Sequence, residues 1–125
     1  MAVTRSFKTM VEARLARDPG FREALLRESV ETMLAGDMET GKAVLRDYIK
    51  ATIGFTALGA GIGAPPKSLI RMFGPKGNPN ADNLFKVLGH LQKHAGIRLR
   101  VDWAHDVVQR QRTIAAPTDR KSRSA

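Results

Sequence analysis

The sequence predicts an all-α fold of five to six helices, followed by one short C-terminal β-strand and a disordered basic tail. Three observations carry this. Apolar residues recur every three or four positions over most of residues 6–95, the period of a helix with one buried face. Residues that stop or start helices separate those stretches: Gly36, Gly54, Gly63 and Gly96 as stops, Asp18, Asp37 and Asn80 as caps. The period changes to two in one place, residues 97–103.

Residues 6–17 read as the first helix, capped by Ser6, with Phe7, Met10, Val11 and Leu15 on one side. Asp18-Pro19 marks a restart, because Asp18 can accept from free amides and proline suits the first helical position. The helix over about 19–35 carries Phe21, Leu25, Leu26, Val30, Met33 and Leu34 on a wide apolar face. Asp37 caps a third helix, about 38–53, with Met38, Val44, Leu45, Tyr48, Ile49 and Ile53 inward. Residues 1–54 therefore read as a helical lead-in packed on the core.

Residues 55–103 read as the second region. A short helix over 56–62 turns Leu58 and Ile62 inward, and Gly59 and Gly61 let another helix approach closely. Gly63 falls where a turn needs a positive backbone angle. Pro65 and Pro66 can begin a helix but not sit deep in one, so the next runs over about 65–73. Its buried side is Leu69, Met72 and Phe73. The sequence GPKGNP at 74–79 is a loop, and Asn80 caps a helix over 81–95 with Leu84, Phe85, Val87, Leu88 and Leu91 inward.

Ile97, Leu99, Val101 and Trp103 alternate with Arg98, Arg100 and Asp102, the pattern of a half-buried strand. A lone strand leaves main-chain groups unpaired, which suits pairing with its twin in a homodimer through Ile97–Trp103 or with a partner's sheet edge. The alternative is an extended arm packed on the chain's own helices. Residues 104–125 read as the tail, with a short helical continuation over 104–112 and disorder from Thr113 onward.

Charge is uneven. The chain carries 21 Lys/Arg and 12 Asp/Glu, a net charge of +9. Residues 1–50 are nearly balanced, at nine bases and eight acids. No acid falls between Asp47 and Asp82, where Lys50, Lys67, Arg71 and Lys76 sit. A basic stretch cleared of acids suits a polyanion. There is no cysteine, which excludes a disulfide framework and a thiolate zinc site and is compatible with the cytoplasm. The longest uncharged run, Ala51 to Pro66, is sixteen residues with four glycines and two prolines, too short for a membrane span.

Enzyme and cofactor motifs fail on chemistry. Gly59, Gly61 and Ala64 fit G-x-G-x-x-A, but no strand precedes them and Pro65-Pro66 interrupts the helix that should follow. Gly63 to Ser68 has the outline of a phosphate loop, yet proline stands directly before Lys67 and has no amide to donate. His90 and His94 share a helix face without a third metal ligand. His105-Asp106 has no supporting cluster. No nucleophile, base and acid come together, so neither catalytic residues, nor a metal, nor a cofactor is expected.

FTALGAGIGAPPKSLIRMFG, residues 55–74, instead fits a helix-turn-helix: a small residue at Gly59, glycine in the turn at Gly63, and apolar Leu69 and Met72 closing the second helix. In that motif the start of the second helix reaches base edges. This assigns Pro66, Lys67, Ser68 and Arg71 to base reading in double-stranded DNA, and Lys76, Asn78 and Asn80 to phosphates. A plain helical hairpin with a solvated basic face is the competing reading.

The segment PPKSLIRMFGPKGNPNADNLF, with the upstream LARDPGFREALLRESVETMLAGDMETGKAVLRDYI, resembles the lambda-repressor-like helix-turn-helix domains of bacterial addiction-module antidote proteins. The resemblance covers about residues 5–103. It implies a five-helix core that binds operator DNA, usually as a dimer, and in many members neutralises a ribonuclease toxin. The DNA-reading role then falls on Lys67, Ser68 and Arg71. ALGAGIG departs from the family in its glycines, and the basic tail lies outside the resemblance. The expected function is a cytoplasmic transcriptional regulator of antitoxin type. The alternative is a toxin-neutralising interaction module with little or no DNA binding.

Overall fold

Three side-chain caps and two left-handed glycines, Gly63 and Gly96, set most of the helix boundaries. The computed structural model describes the main chain over residues 2–106 and the side chains over residues 9–106. The fold is all-α. Among the described residues there are six helices, α1 (Ala2–Arg17), α2 (Pro19–Leu34), α3 (Met38–Ala51), α4 (Phe55–Ile62), α5 (Pro66–Met72) and α6 (Ala81–Ala95). Asp18 starts α2 by accepting from the Phe21 amide at 3.1 Å. Asp37 starts α3 by accepting from the Thr40 amide at 3.1 Å. Asn80 starts α6 by accepting from the Asn83 amide at 2.8 Å. Each satisfies an amide that the first turn leaves without a partner. The amide bonds favour the ionised form, so both aspartates are held below the usual carboxylate range, with Arg14 adding to the effect at Asp18.

The core draws on every helix. Leu15, Leu26, Leu45, Ile49, Leu58, Leu69, Phe73, Val87 and Leu91 are fully or almost fully buried in one cluster. α2 packs most extensively on α3, and α4 packs on α5 and α6. The glycines of α4 illustrate what holds the fold. Each interior glycine weakens a helix by about 0.5–1 kcal/mol relative to alanine. Burial of Leu58 and Phe55 returns about 1.5–3 kcal/mol each. Packing outweighs propensity, and α4 is a helix over its whole predicted length.

Several expectations need correction. α1 begins at Ala2, upstream of the expected cap; the side chains of Ser6 and Phe7 lie outside the described ones. Met10, Leu34 and Phe85, expected inward, are exposed. The expected strand over 97–103 is absent: among the described residues no strand forms, and residues 97–106 have no regular secondary structure. A strand is defined by its ladder, and nothing within the described chain pairs with this segment. Ile97 and Leu99 still pack against the core. Residues 104–106 are not helical, and the rest of the expected tail lies outside the described residues. Among the described residues, no helix is long and apolar enough to cross a membrane.

Candidate nucleic-acid interface

The turn between α4 and α5 is built from backbone constraints. Gly63 ends α4 in the left-handed region, at φ 73° and ψ 36°. A side chain is disfavoured there, and glycine is not. The Ala64 amide donates back to Gly59 O at 3.0 Å. A Cβ on Gly59 would run into the Ala64 carbonyl oxygen, so the turn folds directly over α4 only because residue 59 has no side chain. Pro65 is extended, at φ −64° and ψ 136°, and its carbonyl accepts from Ser68 and Leu69 to open α5. Pro66 occupies the first helical position, where its missing amide costs nothing.

α5 then divides into two faces. Leu69 and, just past the helix end, Phe73 are buried, and Met72 is half-buried against the core. Lys67 and Arg71, one turn apart, are exposed. Pro66 and Ser68 flank them, half-buried. Among the described residues, neither Lys67, Arg71 nor Lys76 forms an ion pair; the two pairs present are Arg14–Asp18 and Lys86–Asp82. These cations have no carboxylate to neutralise them.

The loop after α5 is anchored from below. Lys42 Nζ on α3 donates to Gly77 O, and Arg46 Nη1, one turn further along α3, donates to Phe73 O at 2.9 Å. Pro79 is buried, and Gly77 N donates to Gly74 O at 3.0 Å. The loop therefore has a defined path, and it presents Lys76 and Asn78 to solvent next to the end of α5.

No family model, curated protein or solved structure matches the chain.

The remaining assigned positions divide by what their atoms are doing. Asn80 is exposed, but its side-chain oxygen is committed to the Asn83 amide, leaving only its NH₂ group for an external acceptor. Asp82 stands in the same first turn, paired with Lys86 at 3.3 Å, and opposes an anion there. Of the three loop positions Lys76 is the one cation, exposed and in neither ion pair among the described residues.

One residue of the outward face escaped the sequence reading. Ile70 is 50% exposed and shares its side of α5 with Lys67, three residues earlier. That i, i+3 spacing was the available signal. The histidine pair resolves differently from a ligand pair: a Cβ on Gly61 would meet the imidazole of His90, so His90 is packing against α4.

Proposed function

We propose that the chain is a sequence-specific DNA-binding transcriptional regulator of the antitoxin type, acting in the cytoplasm. In this reading α4 and α5 form a lambda-repressor-like helix-turn-helix, and α5 enters the major groove. The observation that carries it is the exposed, unpaired Lys67–Arg71 face of α5, set in a stretch without acids between Asp47 and Asp82. The sequence resemblance to addiction-module antidote proteins supports the same reading. Lys67 and Arg71 suit guanine edges or phosphates, Pro66 and Ser68 line the approach, and Lys76 with Asn78 and Asn80 meets the backbone. A homodimer would read two half-sites about 34 Å apart.

Binding by selected duplexes, followed over a salt series, tests this. The logarithm of the binding constant should fall with log salt at about 0.9 per phosphate neutralised. Arg71→Ala should relax base preference at one position by about 1–3 kcal/mol, and Lys76→Ala should weaken all sequences alike. Salt-independent binding, or identical effects of the two substitutions, would remove the assignment.

A second reading has its own observation. Phe85 is 66% exposed and Trp103 is 92% exposed, on a surface away from the Lys67–Arg71 face in sequence. A toxin-neutralising interaction module would use that surface. Truncation after Leu99, assayed on a single half-site, separates the two: a toxin binder loses its partner, whereas one copy keeps its contact with the half-site through α5.

A further inference from the structure

The chain leaves α6 as an arm. The Ile97 amide donates to Gln92 O at 3.1 Å, and the Leu99 amide to Gln92 Oε1 at 2.6 Å. Both amides reach Gln92, and in an extended chain alternate peptide groups share an edge, so those of 98, 100 and 102 would face the other one. Over residues 100–106 no main-chain group makes a hydrogen bond among the described residues. Val101 is 84% exposed and Trp103 92%. Beside the arm lies a groove of about 860 Å³ whose walls include Val30, Leu34, Phe85, Leu88 and Leu99. An open edge, an alternating side-chain pattern and an apolar groove thus meet in one place.

We propose that a second copy of this chain covers this face, by antiparallel pairing of the two arms with Val101 of both copies on the two-fold axis. The pairing deepens the dimer component of the reading above. In this register Arg100 of each copy opposes Asp102 of the other, Leu99 opposes Trp103, and Arg98 opposes Ala104. The open-edge residues 98, 100, 102 and 104 become the hydrogen-bonded positions. Opposite charges meet twice, and each Trp103 is laid beside the Leu99 that lines the other copy's groove. Directly opposed side chains stand about 4.5–5.5 Å apart, close enough for both contacts.

The neighbouring registers are worse. Centring the axis on Arg100 opposes Arg100 to itself, and centring it on Asp102 opposes two carboxylates; like charges directly opposite destabilise. A shift by one residue sets the apolar side against the charged side. The segment is complementary to itself, which is why the occupant is a second copy.

The chain has no cysteine, so an introduced thiol is unique. Under mild oxidation the full chain carrying Val101→Cys should cross-link into a covalent dimer, since residues paired on the axis bring Cα atoms to about 4.5 Å. Arg98→Cys should stay uncross-linked, because its two copies would lie about 20 Å apart, six residues along the strand. In sedimentation equilibrium Asp102→Arg should weaken the dimer about tenfold, and adding Arg100→Asp should restore it. A wild-type chain that is monomeric at high concentration, equal cross-linking at residues 98 and 101, or rescue by Arg98→Asp in place of Arg100→Asp overturns the proposal. No DNA enters these measurements, so this pairing and the DNA-binding reading fail separately.

Discussion

Lys42 of α3 donates its ammonium hydrogen to the carbonyl oxygen of Gly77, 35 residues further along the chain. Lys42 is 5% exposed, so a charge has been taken out of water to hold a loop carbonyl. Arg46 does the same for Phe73 O. Two cations one helical turn apart thereby set the end of α5 and the loop that carries Lys76. A hydrogen bond from a charged donor contributes about 1.5–3 kcal/mol, whereas replacing a buried ion by an apolar side chain of similar length recovers desolvation. Lys42→Met should therefore change thermal stability little while loosening residues 74–79. Amide exchange should quicken across that loop, and DNA affinity should fall. Unchanged exchange together with unchanged affinity would show that the loop needs no anchor.

The glycines of α4 act through two different neighbours. A Cβ on Gly59 meets backbone, the Ala64 carbonyl, which cannot turn aside. A Cβ on Gly61 meets the His90 ring, which can. Gly59→Ala should destabilise by about 1–3 kcal/mol, the usual result of forcing an atom into a filled site. Gly61→Ala in a His90→Ala background should gain about 0.5–1 kcal/mol relative to His90→Ala, the helix-propensity difference freed from the clash. Thermal melts of the set check this, and a stabilising Gly59→Ala would show that the turn does not sit as close as described.

Local signals in the sequence were enough for the helices, since caps such as Asp18, Asp37 and Asn80 and stops such as Gly63 act within a few residues. Features that depend on distant partners were not legible. Nothing near Lys42 announces Gly77, so neither its burial nor its partner has a local signal in the sequence. Leu34 and Phe85 continue helical stripes correctly, but the helices run past what covers them, and periodicity cannot say where cover ends. The 97–103 alternation holds only in part: Ile97 and Leu99 are half-buried, but Val101 and Trp103, expected on the same covered side, are exposed. A ladder additionally needs a second strand, which pattern does not supply. On α5 the cations mark the outward face, and Ile70, expected on neither face, lies half exposed beside them.

The two aspartate caps imply a pH dependence with a defined sign. Amide hydrogen bonds hold Asp18 and Asp37 below the ordinary carboxylate value of 3.8. A group depressed on folding contributes stability that is complete above its unfolded value and is lost as pH falls through its folded one. The contribution should therefore be flat at neutral pH, begin to fall near 3.8 and continue falling below it. Asp18→Asn with Asp37→Asn keeps an acceptor at each cap and removes the charge. The melting temperature of that double variant should depend less steeply on pH below 4 than the wild type's. Parallel curves would mean that the caps carry no linkage.

Ile70 offers the sharpest separation between a basic surface and a reading surface. It is half exposed beside Lys67 and Arg71 and supports no part of the core, so Ile70→Ala should leave thermal stability within about 0.5 kcal/mol of the wild type. In a major groove an apolar side chain touches the thymine methyl group, which carries sequence information but no charge. Ile70→Ala should thus reduce preference for thymine at one position of the selected site while leaving the salt slope unchanged. Ile70→Arg should do the reverse, raising the slope by about 0.9 for one added phosphate contact and flattening sequence preference. Competition binding against single-base variants at two salt concentrations reads both effects. If Ile70→Ala alters the slope and not the preference, α5 lies along the phosphates and does not enter the groove.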